Sequence, residues 1–137
     1  MKVVIVGGVA GGATAAARLR RLDENAEIVV FEKSGYISYA NCGLPYFIGG
    51  AIEDPKALTL QTPESFDMRF NVAMKVHHEV TKINPDKKTV EVKNLTTGET
   101  FKESYDKLLL SPGARPLIPN IPGINSDRVM HLRTVED

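Results

Sequence analysis

Three groups of residues in this chain have types and spacings that can do chemistry. The first is a single thiol, Cys42, in "YISYANCGLPYFIGG" (36–50). A lone cysteine has no disulfide partner in its own chain, so it is core filler, an oxidation-prone group or a nucleophile. The second is the run Gly7-Gly8-Val9-Ala10-Gly11-Gly12. Gly7 and Gly12 hold the outer positions of a GxGxxG pattern, and Val9 stands at the middle one. Gly7 permits a tight turn, Gly12 lets a helix approach a sheet, and helix-end amides at 11–13 can bind a pyrophosphate. About 20 residues beyond Gly12 comes Glu32, where an acid hydrogen-bonds a ribose hydroxyl in such sites. The third is a cationic face, with Thr14, Arg18 and Arg21 at i, i+4 and i+7. Two guanidiniums suit phosphate, which arginine binds bidentately. A solvated basic face balanced by Asp23 and Glu24 is the ordinary alternative.

These residues need elements to position them. "KVVIV" (2–6) is a β-branched run ended by glycines and reads as a buried strand. "GGATAAARLRRLD" (11–23) reads as a helix, and "EIVVF" (27–31) as a second buried strand ending at Glu32. Strand, glycine turn, helix and strand make a right-handed βαβ unit, the context that a dinucleotide fingerprint requires. Residues 33–41 are irregular. Pro45 is tolerated only in a first helical turn, which places a helix start close to Cys42. Thr62 and Pro63 read as the N-cap and first residue of another helix. "NVAMKV", "HEVTKIN" and "TVEVKNL" then alternate with period two, with turns at Asn84-Pro85-Asp86 and Thr97-Gly98, and "ETFKES" returns as a hairpin partner. A further buried strand spans 107–111, stopped by Pro112-Gly113, and the proline-rich "RPLIPNIPG" is extended.

Composition narrows the class. The 137 residues suit one domain or a piece of a larger one. Lys plus Arg and Asp plus Glu each total 17, so nothing in the charge balance points to nucleic acid or a membrane surface. One cysteine fits a reducing compartment rather than a secreted disulfide scaffold. The N-terminal run after Lys2 could pass for a signal peptide, but its two glycine pairs and its continuation into an arginine-rich helix argue for a soluble, cytoplasmic chain.

Three segments in order, Gly7–Gly12, "SYANCGLPY" and "YDKLLLSPGARP", resemble the N-terminal FAD-binding part of the flavin-dependent pyridine nucleotide–disulfide oxidoreductases. The resemblance is closest to the single-cysteine branch, which holds coenzyme A disulfide reductases, persulfide reductases, NADH oxidases and NADH peroxidases. Ser38-Tyr39-Ala40-Asn41-Cys42 is similar to that branch's Ser-Phe-x-x-Cys, with Tyr39 for phenylalanine. Ser111-Pro112-Gly113 stands where the family carries Ala-Thr-Gly.

The resemblance implies an α/β fold: a Rossmann-like FAD-binding domain with a parallel sheet, helices and an antiparallel β-meander. Residues 1–137 would be its N-terminal half, truncated before the nicotinamide-binding and dimerisation domains of a homodimeric parent. It implies that electrons pass from NADH or NADPH through FAD to Cys42. That thiol, favoured as thiolate at a helix N-terminus, would attack coenzyme A disulfide or persulfide and hold half of it as a mixed disulfide. Oxidases and peroxidases instead cycle a sulfenic acid and carry a histidine at the position of Ala10, whose methyl cannot transfer a proton. For the substrate the resemblance implies Thr14, Arg18 and Arg21, with Ser38 and Asn41 near the sulfur. For FAD it implies Gly7, Gly8, Val9, Ala10, Gly11, Gly12, Glu32, Lys33, Val80, Ser111, Pro112, Gly113 and Arg133. His77 and His78 read as strand-surface residues rather than a metal site. The fragment alone is expected not to turn over. The contrasting class is a non-catalytic nucleotide-binding module in which Cys42 is incidental.

Overall fold

The computed structural model describes residues 1–137. In chain order the elements are β1 (Lys2–Val6), α1 (Ala10–Leu22), β2 (Glu27–Phe31), α2 (Leu44–Ile48), α3 (Pro63–Phe70), β3 (Ala73–Lys75), β4 (His78–Asn84), β5 (Thr89–Asn94), β6 (Thr100–Ser104) and β7 (Lys107–Leu110). Two 3-10 turns, Asn41–Gly43 and Pro55–Leu58, interrupt the stretch between β2 and α3.

β3, β2, β1 and β7 form one sheet in that order, every neighbouring pair parallel. β4, β5 and β6 form a separate antiparallel meander. The α/β architecture expected from the sequence is therefore present. Successive side chains of a strand point to opposite faces, and both faces here are covered. Val3, Ile5, Ile28 and Val30 pack on one side with Ala13 and Ala16 of α1, Phe66 of α3, Val72 and Met74. Val4, Val29 and Phe31 pack on the other with Val90 and Val92 of the meander. Burial on two sides explains why β1 and β2 read as unbroken apolar runs.

"NVAMKV" does not belong to the meander, as its alternation suggested. Its core, β3, pairs in parallel with β2, Val29 opposite Ala73, at the edge of the main sheet. Only the α-helical side of this edge strand is buried, through Val72 and Met74, and one-sided burial produces the same period-two pattern as a hairpin. α1 starts and ends one residue earlier than read, at Ala10–Leu22. α3 is capped as expected: Thr62 Oγ1 accepts from the Ser65 N–H, and Ser65 Oγ accepts from the Thr62 N–H.

Lys2 ties the layers together. Its Nζ lies 2.7 Å from Glu27 Oε1 on β2 and 2.6 Å from Glu103 Oε1 on β6, and its N–H donates to Asp106 Oδ2 just before β7. Hydrogen bonds to Glu103 and then Glu27 raise the ammonium above its ordinary pKa of 10.5. A raised cation stabilises the fold fully below its unfolded pKa and loses that contribution as pH climbs through the folded value. In urea unfolding, Lys2→Met should cost under about 1 kcal/mol at neutral pH, the pair being partly exposed. That deficit should stay flat to about pH 10 and close above it; a deficit that varies between pH 5 and 9 would refute the assignment.

Candidate cofactor and thiol site

The β1–α1 turn is built on contacts that only glycine allows. Gly7 has φ +95°, and its N–H donates to Phe31 O at 2.8 Å. A Cβ on Gly7 would fall on the carbonyl oxygen of Ser111, and one on Gly12 would fall on the carbonyl oxygen of Gly7. The ends of β1 and β7 and the first turn of α1 therefore meet backbone to backbone. Val9, at the middle position of the fingerprint, is the N-cap of α1 and provides no side-chain hydrogen bond. The first bond into the helix runs from the Ala13 N–H to Val9 O at 3.3 Å. The amides left without a protein acceptor are thus those of Ala10, Gly11 and Gly12, one residue earlier than the 11–13 expected.

Glu32 is the one buried charged residue. Its Oε2 accepts from the Gly8 N–H at 2.7 Å and its Oε1 from the Ser34 N–H at 2.8 Å. The carboxylate fixes the glycine turn, and each oxygen still has a lone pair for a ribose hydroxyl. Sequence reading missed this first task, since nothing in the spacing shows where the Gly8 N–H points.

Two adjoining clefts open from here. The larger, about 300 Å³, runs from Val9, Ala10 and Gly11 past Glu32, Lys33, Tyr39 and Asn41 to Ser111, Pro112, Gly113 and Arg133. The smaller, about 200 Å³, is bounded by Val6, Gly7, Phe31, His78, Glu79 and Val80, and shares Glu32, Lys33 and Pro112 with the first. Every residue implied as a flavin contact lines one of these clefts or shapes the turn beside them. Arg133 is anchored by its Nε donating to Ala114 O at 3.1 Å. Unpartnered helix amides, a buried acid and a glycine cradle fit the diphosphate, ribose and close backbone approach of a dinucleotide such as FAD. His78 opens β4 half-buried, its ring 6.2 Å from Phe31 and 6.0 Å from Phe101 at the edge of the smaller cleft. His77 sits in the turn between β3 and β4 with φ +55°.

Cys42 is exposed and lies in the 3-10 turn Asn41–Gly43, ahead of α2. The helix expected at the thiol is only five residues long, a single turn with little macrodipole, so the argument from a helix N-terminus loses most of its force. The loop is held instead by its neighbours. The Ser38 N–H donates to Gly8 O at 3.0 Å, and the Ala40 N–H donates to Leu58 O at 2.8 Å. Tyr39, Leu44 and Leu58 form a small core, against which Val9 of the glycine turn also packs.

On the other side of this loop lies an open groove of about 500 Å³, lined by Thr14, Arg18, Arg21 and Ser38, together with Gln61, Arg69 and Phe70. The helix-face reading is correct in its grouping. Asn41, implied to lie near the sulfur, precedes Cys42 in the same 3-10 turn and lines the larger cleft rather than this groove. Arg69 was missed, since only the docking of α3 against α1 brings it near. Arg21 and Arg69 lie over the Phe70 ring, at 6.0 and 5.2 Å from its centroid. Asp23 and Glu24 form no ion pair with this face. Their main-chain carbonyl oxygens, with those of Phe70 and Asn71, accept from Arg20, which serves as a structural clamp. Arg18 and Arg21 take part in no ion pair.

Residues 1–137 match the family described as "Pyridine nucleotide-disulphide oxidoreductase". The chain is 50% identical over 136 residues to the coenzyme A disulfide reductase of Staphylococcus aureus strain JH9, covering 99% of this chain and 30% of that relative. Among solved structures it is similar to reduced Bacillus anthracis CoADR-RHD, with a TM-score of 0.87 and 58% identity over 90% of this chain and 22% of that one. It is also similar to the water-forming NADH oxidase from Lactobacillus brevis bound to NADH, with a TM-score of 0.90 and 37% identity over 99% of this chain and 30% of that one.

The glycine contacts give a direct stability test. Gly12→Ala sets a methyl against backbone that cannot rotate away, and should cost about 3 kcal/mol or more in denaturant unfolding. Gly50→Ala, at φ +77° with open space around it, should cost only about 1 kcal/mol. Equal costs at the two sites would show that the close approach at Gly12 is not a constraint.

Proposed function

The chain belongs to the pyridine nucleotide-disulphide oxidoreductase family, and from that premise we propose that it forms the FAD-binding first part of a reductase of coenzyme A disulfide or coenzyme A persulfide, with Cys42 as nucleophile. It spans about a third of the curated relative it matches. In this reading the nicotinamide site and the dimerisation surface of a cytoplasmic homodimer lie in sequence outside these residues, and the 137 residues alone do not turn over.

The observation that carries the reading is the placement of one loop between two cavities. Tyr39 and Asn41 face the dinucleotide cleft, Ser38 faces the arginine groove, and Cys42 follows immediately, exposed. Cys42 itself lines neither cavity; in this reading its thiol, one residue beyond Asn41, works between a cofactor on one side and a phosphorylated substrate on the other. Bound FAD would supply the two-electron link between the nicotinamide and the sulfur. The chain's own residues do the rest. Glu32, the amides of Ala10, Gly11 and Gly12, Lys33 and Arg133 hold the dinucleotide, with Gly7, Gly8, Val9, Ser111, Pro112 and Gly113 allowing its close approach and Val80 bounding the adenine end. Arg18, Arg21 and Arg69 hold the substrate's phosphates beside Thr14, and Ser38 and Asn41 border its sulfur. Cys42 thiolate attacks one sulfur of the substrate disulfide, the sulfur–sulfur bond breaks, and one coenzyme A leaves as thiolate while the other stays in a mixed disulfide. Two electrons then release it and regenerate the thiolate.

The second reading, an oxidase or peroxidase that cycles Cys42 through a sulfenic acid, is supported by likeness to the NADH oxidase. Ala10 weighs against it, because a methyl group at the cleft wall offers no proton beside the thiol.

Reducing the flavin of the full-length protein should produce a long-wavelength thiolate-to-flavin charge-transfer band that Cys42→Ser abolishes. No band in either form would favour a non-catalytic nucleotide module. With NADH supplied, coenzyme A disulfide or persulfide should outpace oxygen and peroxide as acceptor; the reverse order would establish the oxidase reading. Arg18→Ala and Arg21→Ala should each raise KM for coenzyme A disulfide about tenfold and leave the rate with a small uncharged disulfide unchanged.

A further inference from the structure

Tyr39 departs from the phenylalanine of the pattern that its loop resembles, and its hydroxyl has no protein partner. The residue is only 7% exposed, with its ring packed in the cluster of Leu44 and Leu58 that Val9 adjoins. Buried tyrosine hydroxyls ordinarily find a hydrogen-bond partner. No side-chain oxygen in this structure is both sealed from solvent and unpaired. The bare hydroxyl must therefore lie where the residue meets open space, and Tyr39 lines the 300 Å³ cleft. The charged groups that act on it are Arg133, Glu32 and Asp137, which line that cleft, and Glu136. Burial foremost pushes the phenol pKa up, so the group keeps its proton and remains a donor.

The surrounding groups define the acceptor. Of the carboxylates, Glu32 is engaged by the Gly8 and Ser34 N–H groups and Asp137 by those of Arg133 and Thr134, whereas the Arg133 guanidinium at the cleft and the free amides of Ala10, Gly11 and Gly12 beside it are suited to negative charge. Val9, which packs on the Tyr39 cluster, is the N-cap of the helix that presents those amides. A protonated phenol there complements an anionic oxygen at the start of α1.

We propose that the Tyr39 hydroxyl donates a hydrogen bond to a phosphate oxygen of the dinucleotide held in this cleft, making it a positioning residue contributed by the nucleophile's own loop. This rests on the dinucleotide reading given above and adds to it a link absent from a phenylalanine-bearing loop. Ligand occupancy at the diphosphate and placement of the Cys42 loop are then coupled through one bond.

The test is calorimetric titration of the wild type and Tyr39→Phe with ADP, FAD and adenosine. The variant keeps the ring and therefore the packing. It should bind ADP and FAD about tenfold more weakly and adenosine, which lacks phosphate, with unchanged affinity. Equal ADP affinity in the two proteins would overturn the proposal and leave the dinucleotide reading standing, the hydroxyl being merely solvated. A matching loss for adenosine would also overturn it, by showing a general disturbance of the cleft. Failure of the wild type to bind ADP or FAD would instead sink the dinucleotide reading, and the role of Tyr39 with it.

Discussion

The approach of three backbone segments at Gly7, Gly12 and Ser111 is the constraint on which the rest of the molecule depends. No side chain separates them, so the end of β1, the start of α1 and the exit of β7 share a single fixed point. Glu32 adds a charged clasp to the same point through the Gly8 N–H. The cleft walls radiate from this junction: the helix amides on one side, Ser111 to Gly113 on the other. A substitution that separates the segments would not merely remove a contact. It would change the relative position of every group that faces the cleft.

Much of this was legible in the sequence because its signals are local. Gly7 and Gly12 require glycine for steric reasons, Thr62-Pro63 caps a helix, and the apolar runs of β1 and β2 reflect burial on both faces. The failures lie where a signal depends on what packs from afar. "NVAMKV" looked like a hairpin strand because a half-buried edge strand alternates in the same way, and only the crossover through α3 decides its sheet. Arg69 is 48 positions from Arg21 and joins it only through the docking of α3. The resemblance implies that Ser38 and Asn41 both lie near the sulfur, but it does not show that the chain turns between them so that they line different cavities. The helix at Cys42 was anticipated from Pro45, but a proline shows where a helix can begin and says nothing of how far it runs.

The loop carrying Cys42 is held mainly through its backbone and a three-residue core, not by regular secondary structure. One strand of chain thus separates the two cavities. Its inner contacts are made with the glycine turn, through the Ser38 N–H and Gly8 O and through Val9. The position of the thiol is therefore referred to the same junction that sets the cleft.

Helix α1 adds a metric property to this arrangement. Its first turn faces the cleft and its later residues face the arginine groove. At 1.5 Å per residue, Arg18 lies about 12 Å and Arg21 about 16 Å along the axis from Ala10. In the proposed reading the helix thus fixes the axial backbone spacing between the amides that face the cofactor and the arginines that face the substrate. Inserting one residue midway along α1 would turn the guanidiniums by about 100° away from the groove and leave the amide end in place, separating the two functions of one helix.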